Sequence, residues 1–287
     1  DAVVHVDDSV DPIRDLETIS SELCLKDLDL ASGCFNNALN DARKKQGCAR
    51  ANMPKAFDTI EALHAKIVEM LEGGLPIGQG EWSSGEVELI KEHYQLITTK
   101  PIVYLLNLSK RDYCRKKNKW LPKIAAWVKA HGGGTVIPMS VELEEELFAL
   151  DGDREAKEGF LDQCKAEFCN GEGPPVKSTL PRIIKTGYGA LNLINYFTAG
   201  QPEVRAWTIY NGTAAPGAAG VIHTDFERGF IKAETCSFED FKSLCGGKAS
   251  MAPLKEAGRY RQEGRNYVVQ DGDIMHFQFN VTNAKKK

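Results

Sequence analysis

The most continuous hydrophobic stretch that ends in a polar turn lies near the middle of the chain. Five consecutive apolar residues, 102–106, run into a turn that begins at Asn107. A β-prone apolar run of this length is typical of a strand buried on both faces, as in a parallel sheet. Polar side chains just after the carboxyl end of such a strand lie where open α/β sheets bind ligands. The pattern therefore predicts a ligand-binding loop at Asn107.

Helical spacing dominates residues 13–72. Apolar positions recur every three or four residues in the first stretch, and Gly33 and the polar residues 43–46 interrupt or end it. A second amphipathic stretch begins near Pro54 and stops at Gly73. Two such helices joined by a short polar loop predict an antiparallel helical hairpin, which serves either as scaffold or as a partner-binding arm.

Strand and helix patterns alternate in the next part of the chain. The strand at 102–106 is followed by an amphipathic helix around Trp120, a second strand at 135–139 and an acidic helix after Ser140. This alternation predicts an α/β domain. A last helix is predicted to follow Ser178 and to carry five apolar residues: Leu180, Ile183, Ile184, Leu191 and Ile194.

The final part of the chain has a different pattern of short strands and turns. Val204–Tyr210 and Ile231–Cys236 are predicted strands. The turn Asp271-Gly272-Asp273 is flanked by apolar residues that predict a hairpin of 267–269 with 274–281. These elements predict a small mixed module of about 80 residues, within the size range of an independent domain.

Composition and charge narrow the class of protein. The length of 287 residues predicts two domains, or two domains with a third small module. A formal net charge of −4 argues against bulk electrostatic binding to nucleic acid, and no DNA partner is expected. The eight cysteines include no C-x-x-C pair, so we expect reduced thiols in a cytoplasmic protein. No apolar run approaches the roughly 20 residues that span a bilayer, so no membrane partner is expected.

The turn at Asn107 resembles half of a nucleotide-base site. In GTP-binding folds this loop has the pattern N-K-x-D, whose carboxylate accepts two N–H bonds from guanine. Here Lys110 holds the fourth position, and a lysine can donate but cannot accept hydrogen bonds, so guanine selectivity is not expected. Ser140 and Val141 follow the second strand, where such folds complete the base pocket, and the backbone near Leu108 could meet adenine. A plain turn at Asn107 is the alternative.

No phosphate-binding motif accompanies this loop. A P-loop needs G-x-x-x-x-G-K-[ST], because backbone N–H groups, a lysine and a hydroxyl surround the phosphates and Mg²⁺. The 287 residues contain no such match, and residues 246–250 imitate it without the required spacing.

Other clusters hold polar side chains without a specific motif. Residues 223–230 (HTDFERGF) have no second metal ligand at a suitable spacing, so zinc is not predicted, and an amphipathic helix with buried phenylalanines is the alternative interpretation. The basic residues at 115–119 and at 259–265, the latter with two tyrosines, form either RNA-binding patches or solvated faces.

Four stretches resemble one known family. FTAGQPEVRAWTIYNGTAAPGAAGVIHTDFERGFIKAE (197–234) and RYRQEGRNYVVQDGDIMHFQFN (259–280) look like the C-terminal TGS domain of the Obg-like ATPases, the YchF family of TRAFAC-class P-loop proteins. VDPIRDLETISSELCLKDLDL (10–30) resembles the start of that family's helical arm. KPIVYLLNLSKRDYCRKKNKWL (100–121) resembles its base-recognition loop, as in eukaryotic members.

The resemblance implies a three-part α/β architecture. The parts are the C-terminal portion of a Ras-like P-loop NTPase domain, a helical hairpin inserted into it, and a ubiquitin-like β-grasp TGS domain. We expect the nucleotide-binding domain in residues 1–15 and 86–199, the helical coiled-coil insertion in 16–85, the TGS domain in 200–284 and a basic tail in 285–287.

The resemblance also implies an activity and a site. The family hydrolyses ATP in preference to GTP, needs Mg²⁺ and associates with ribosomes or rRNA. Asn107 and Leu108 carry over as base-contacting positions, and Ser140 with Val141 as the neighbouring loop. Lys110 replaces the glutamate that is usual in the family.

The resemblance places the family's P-loop, switch regions and Mg²⁺ ligands before the point where this chain begins. We therefore expect a parent protein with ATPase activity and no hydrolysis by this chain alone, since phosphoryl transfer depends on those loops. The alternative is a non-catalytic module that binds the ribosome, other RNA or a protein through the helical arm and the TGS domain.

Overall fold

A computed structural model describes residues 10–46, 54–200, 203–246 and 250–280. It divides the chain between Pro181 and Arg182 into two compact units, each with its own core. The strand pattern at residues 2–6 and the basic tail at 285–287 lie outside the described residues.

The first unit begins with the predicted helical hairpin. Helix α1 spans Pro12–Gln46 and α2 spans Pro54–Glu72. The prediction that Gly33 interrupts the first helix is wrong, because α1 continues through it. A helical glycine costs about 1 kcal/mol relative to alanine, and the buried face of α1 against α2 outweighs that cost. The buried residues of α1 are Cys24, Asp27, Ala31 and Ala38.

Contacts between the two helices run in opposite directions along the chain, so the hairpin is antiparallel. Near the loop, the Arg43 guanidinium lies 5.7 Å from the centre of the Phe57 ring. Further down, the rings of Phe35 and His64 stack with centroids 4.2 Å apart. Helix α3, Ser84–His93, adds Ile90 to the same core, which also contains Tyr94 and Leu96.

A buried carboxylate joins α1 to the segment that leads into the nucleotide-binding part. Both Asp27 oxygens accept backbone N–H bonds, from Ile97 at 2.8 Å and from Thr98 at 2.7 Å. Asp27 is fully buried. The hairpin is thereby bonded to the turn that precedes the first strand.

Two parallel strands with four helices form the rest of this unit. Strand β1, Val103–Asn107, pairs in register with β2, Thr135–Met139. The helices are α4 Lys110–Arg115, α5 Leu121–Ala130, α6 Val141–Ala149 and α7 Arg154–Cys169. Both strands, the helix around Trp120 and the acidic helix after Ser140 lie where the sequence predicts them.

The prediction that β1 is buried on both faces is wrong. Ile102 is 44% exposed and Leu105 is 47% exposed. Within the described residues β1 pairs with β2 alone, so its outer edge and one face lack the covering that a central strand of a larger sheet receives.

The second unit is a five-stranded mixed sheet with helices. Its strand order is β4-β3-β7-β5-β6, with β3 parallel to β7 and the other pairs antiparallel. The strands are β3 Leu193–Ala199, β4 Val204–Tyr210, β5 Phe230–Ser237, β6 Arg261–Glu263 and β7 Asp273–Phe279. Helix α8, Leu180–Ala190, spans the division between the units. The helices that follow are α9 Ala215–Ile222, α10 Thr224–Arg228, α11 Phe238–Cys245 and α12 Ala252–Glu256.

Two sequence-based assignments in this unit are wrong. Ile194 lies in β3 rather than on the preceding helix, which ends at Ala190. Residues 193–199 therefore belong to this sheet, whereas we expected the nucleotide-binding domain to extend to residue 199. Helical and strand spacing coincide over so short a run, and pairing of β3 with β4 and β7 decides between them.

The predicted hairpin around Asp271-Gly272-Asp273 is also wrong. Strand β7 pairs with β5 and β3, and β5 takes β6 as its other neighbour. The turn itself is present, because Gly272 has φ +83 and its N–H donates to the Asn195 carbonyl at 2.8 Å. This bond attaches the turn to β3 instead of closing a hairpin.

Among the described residues, no helix is long and apolar enough to cross a membrane. The seven described cysteines are free thiols.

Replacement of Asp27 tests its bonds to the turn before β1. Asp27→Ala leaves two backbone N–H groups without their acceptor, and we expect a loss of about 2–3 kcal/mol in unfolding free energy. Asp29→Ala, at an exposed position of the same helix, is the matched control and should change it by less than about 0.5 kcal/mol. Equal urea midpoints for the two variants would contradict this assignment.

Candidate nucleotide-binding site

The two predicted site loops leave the sheet at one edge. Parallel pairing places Asn107, the last residue of β1, opposite Met139, the last residue of β2. The turns that follow each strand are therefore neighbours, which is the arrangement that open α/β sheets use to bind ligands.

A side chain bonds one turn to the other. The Asn107 Oδ1 atom accepts the N–H of Val141 at 3.1 Å. The N–H of Leu108 donates to the Met139 carbonyl at 2.8 Å, which extends the strand pairing by one residue. These two bonds join the turns into a single surface.

The four predicted site residues differ in exposure. Asn107 and Val141 are exposed, and Leu108 is half-buried. Ser140 is fully buried, and its Oγ accepts the Leu143 N–H at 3.4 Å as the N-cap of α6. Ser140 therefore acts on the position of α6, while the other three residues supply the accessible surface.

Lys110 is held by two acidic residues of α6. Its Nζ lies 2.8 and 2.9 Å from the two Glu146 oxygens and 3.5 Å from Glu142, and its side chain is 18% exposed. The hydrogen bond to Glu146 raises the pKa of Lys110, so the ammonium group stays charged. The fourth position of the loop thus presents a cation already bonded to carboxylates.

Asp112, two residues after Lys110, is also hydrogen-bonded within the protein. Asp112 Oδ2 accepts a bond from Asn118 Nδ2 at 2.7 Å, and the Asp112 N–H donates to Ser109 Oγ at 3.2 Å. The Asp112 side chain therefore joins α4 to the segment that follows it, and it does not take the place of the missing acid at position 110.

The acidic partners of Lys110 were not predicted from the sequence. Glu142 and Glu146 are four residues apart and share one face of α6. This spacing, next to a lysine at the loop, is the signal that could have identified them.

The structure explains the cluster at 223–230 as part of the fold. His223 Nδ1 accepts the Asp225 N–H at 3.1 Å as the N-cap of α10. Phe226 stacks on Phe279 with ring centroids 3.8 Å apart. The helix ends at Arg228, so Phe230 is buried as the first residue of β5 and not as part of the helix.

The tyrosines of the basic cluster at 259–265 are used inside the second unit. Tyr260 donates to Glu234 at 2.9 Å and Tyr267 donates to Asp273 at 2.7 Å. Burial, followed by these bonds to carboxylates, raises the pKa of each tyrosine to about 12. Hydroxyls held in this way leave the rings poorly placed to serve as stacking platforms for bases.

The described residues do not fit a magnesium site. No group of three or more His, Cys, Asp or Glu side chains among them is arranged to hold a metal ion. The acids nearest the base loop, Asp112 of α4 and Glu146 of α6, are bonded to Asn118 and Lys110 respectively. We derive no chemical step through a metal at this site.

Comparison with known proteins agrees with a nucleotide-binding protein of the P-loop class. Residues 193–280 match the family YchF-GTPase_C, described as a protein of unknown function (DUF933). "Obg-like ATPase 1" of Oryza sativa subsp. japonica is 47% identical over 285 residues, which cover 99% of this chain and 66% of the rice protein. The Homo sapiens protein of the same name is 43% identical, with 100% and 67% covered.

A solved structure of a YchF protein has a similar fold. The Schizosaccharomyces pombe YchF GTPase matches with a TM-score of 0.79 and 41% identity, over 96% of this chain and 68% of the yeast chain. The chain belongs to the Obg-like ATPase, or YchF, family. It spans about two thirds of the length of the relatives that it matches.

Loss of the Asn107 amide tests the bond between the turns. In Asn107→Ala the Val141 N–H has no acceptor, and we expect its hydrogen exchange to quicken about fivefold, the factor that corresponds to a net hydrogen bond of about 1 kcal/mol. Asn107→Asp keeps an acceptor oxygen and should leave the exchange slow. Unchanged exchange in the alanine variant would show that Asn107 does not hold Val141.

Proposed function

We propose that the protein binds ATP at the edge formed by Asn107, Leu108 and Val141, in preference to GTP. The observation that carries this proposal is the state of Lys110, which replaces a carboxylate and is bonded to Glu142 and Glu146. Guanine presents two N–H donors that a carboxylate accepts together, and an ammonium group has no acceptor to offer.

The backbone groups of the site also favour adenine. The N–H of Leu108 is donated to Met139 and that of Val141 to Asn107, so neither is free to donate to the guanine O6. Adenine carries a donor, its N6 amino group, in the same place. The Leu108 carbonyl is the acceptor that we assign to it.

The names of the relatives do not decide the nucleotide. The rice and human relatives are called ATPases, whereas the yeast relative of known structure is called a GTPase. The proposal of ATP therefore rests on the contacts of Lys110 in this chain.

We further propose that hydrolysis requires phosphate- and Mg²⁺-binding loops that these 287 residues do not supply. The sequence contains no G-x-x-x-x-G-K-[ST], and phosphoryl transfer depends almost entirely on positioning by such loops. Binding of the base alone should therefore be weak in this chain.

The second unit supports the proposal of a ubiquitin-like β-grasp TGS domain. An antiparallel pair, β3 and β4, comes first, and the last strand, β7, returns parallel to β3 in the middle of the sheet. We propose that this unit and the helical hairpin bind the ribosome, and that the protein acts in the cytoplasm. Co-sedimentation with ribosomes at rising salt tests that partner, because phosphate contacts weaken steeply with salt.

Titration of ATP and GTP tests the proposed nucleotide. We expect weak or undetectable binding to the 287-residue chain, and tighter binding of ATP than of GTP to the longest form that the gene encodes. The measurement is isothermal titration calorimetry of both nucleotides with both proteins. Equal affinity for ATP and GTP in the longest form would refute the argument from Lys110.

A second variant separates the structural role of Lys110 from contact with the base. Lys110→Met leaves Glu142 and Glu146 unpaired and should lower the urea midpoint, while ATP affinity of the longest form stays within about twofold. Lys129→Met, at an exposed position, is the control. An unchanged midpoint with an ATP affinity about tenfold weaker would place Lys110 on the nucleotide instead.

A further inference from the structure

A dense group of positive charges lies directly after α4, the helix that begins at the base loop. Residues 115–123, RKKNKWLPK, hold five cationic side chains in nine residues and no acidic one. The whole chain has a net charge of −4, so this segment is a local exception. Electrostatic attraction of a polyanion depends on such local density rather than on the net charge.

The end of α4 turns these side chains outward. Lys116 adopts a left-handed conformation with φ +52, and its N–H donates to the Tyr113 carbonyl at 3.1 Å. The next N–H, from Lys117, donates to the Asp112 carbonyl at 3.2 Å. With their backbone groups satisfied in the cap, both lysine side chains are exposed. A left-handed non-glycine residue costs of order 1 kcal/mol, which the surrounding bonds offset.

Four of the cations have no ion pair within the part of the chain that the structure describes. We call these residues, Lys116, Lys117, Lys119 and Lys123, the lysine surface. All four are exposed, and none takes part in the ion pairs of the described residues.

The lysine surface borders a concavity and an aromatic ring. The concavity, about 670 Å³, is lined by Lys116, Lys117 and Lys119 together with Asp112, Asn118, Leu121 and Pro122. Asp112 is its one acidic lining residue, and one of its oxygens is bonded to Asn118. The ammonium groups of Lys119 and Lys123 lie 5.3 and 4.9 Å from the centre of the partly buried Trp120 ring.

The other basic cluster differs in this respect. At 259–265, Arg261 Nε lies 3.7 Å from the Glu263 carboxylate and Arg265 donates to the Phe230 carbonyl at 2.9 Å. Two of its arginines are therefore already bonded to groups of the second unit. The structure therefore distinguishes two clusters that look alike in the sequence.

We propose that the lysine surface binds the phosphate backbone of RNA. The proposal rests on the ribosome association proposed above and names the surface that makes the contact. Unpaired lysines supply flexible point charges that suit successive phosphates, and lysine is depleted at the centres of protein–protein interfaces. Lys119 and Lys123 lie over the Trp120 ring, which positions their charges beside those of Lys116 and Lys117.

The test compares two variants with the same change in net charge. The first replaces the lysine surface: Lys116→Gln, Lys117→Gln, Lys119→Gln and Lys123→Gln. The second replaces four scattered exposed lysines: Lys26→Gln, Lys91→Gln, Lys129→Gln and Lys177→Gln. Fluorescence anisotropy of a labelled single-stranded RNA of about 20 nucleotides, enough to span such a site, measures affinity from low to moderate salt. Circular dichroism melting checks that both variants fold.

Loss of the lysine surface should weaken RNA binding at least tenfold and reduce the slope of log affinity against log salt by roughly 3, at about 0.7 per phosphate contact for single strands. The scattered variant should keep the wild-type slope. Equal losses in both variants would show only a net-charge effect and overturn the proposal. So would the absence of RNA binding by the wild type at low salt, or competition by polyglutamate as effective as that by RNA.

Ribosome co-sedimentation of the same proteins separates this proposal from the one on which it rests. If the wild type and the lysine-surface variant pellet equally, ribosome association stands and the lysine surface is excluded as its contact. If the wild type fails to pellet at low salt, ribosome association fails, and the RNA titration alone decides whether the surface binds RNA.

Discussion

The hydrogen bond from Val141 N–H to Asn107 Oδ1 is the interaction on which the candidate site depends. It joins turns that are 34 residues apart in the chain. Parallel pairing of β1 and β2 brings the turns together, and the side-chain bond fixes their separation. Without it, only the bond from Leu108 N–H to the Met139 carbonyl would join the two turns. With it, the turns after the carboxyl ends of β1 and β2 form one surface with defined hydrogen-bond donors and acceptors.

The hydrogen-bonding groups that this surface offers to a ligand are those that are not already bonded within the protein. The N–H groups of Leu108 and Val141 are donated within the protein, and the charged Lys110 is paired with Glu142 and Glu146. The group that remains available to a nucleotide base is a hydrogen-bond acceptor, the Leu108 carbonyl, which suits the amino group of adenine. The lysine surface after α4 has the opposite character, because its charges are unpaired and face outward. The short helix α4 thus connects the proposed base site with the proposed phosphate-binding surface.

The sequence predicted the parts of this fold whose signals are local. The helix end at Gly73, the strands beside Asn107 and Ser140, and the helical hairpin need only spacing and turn residues. Two failures involve strand pairing: Ile194 belongs to β3, where it pairs with Ile209 of β4, and the turn at Gly272 bonds to β3. The helix through Gly33 and the exposure of β1 depend instead on what packs against each element. The partners of Lys110 were missed for the same reason, since the fold brings α6 to the loop. Base contact by Asn107 and Leu108 stays a prediction.

Nitrogen-15 amide NMR of the 287-residue chain during titration with ATP and with GTP tests the account most directly, because it detects and locates even weak binding. We predict that ATP shifts the amide resonances of Leu108, Val141 and the Asn107 side chain, and that GTP at the same concentration shifts them less. Equal shifts with GTP, or ATP-dependent shifts confined to other parts of the chain, would contradict an adenine site held together by Asn107.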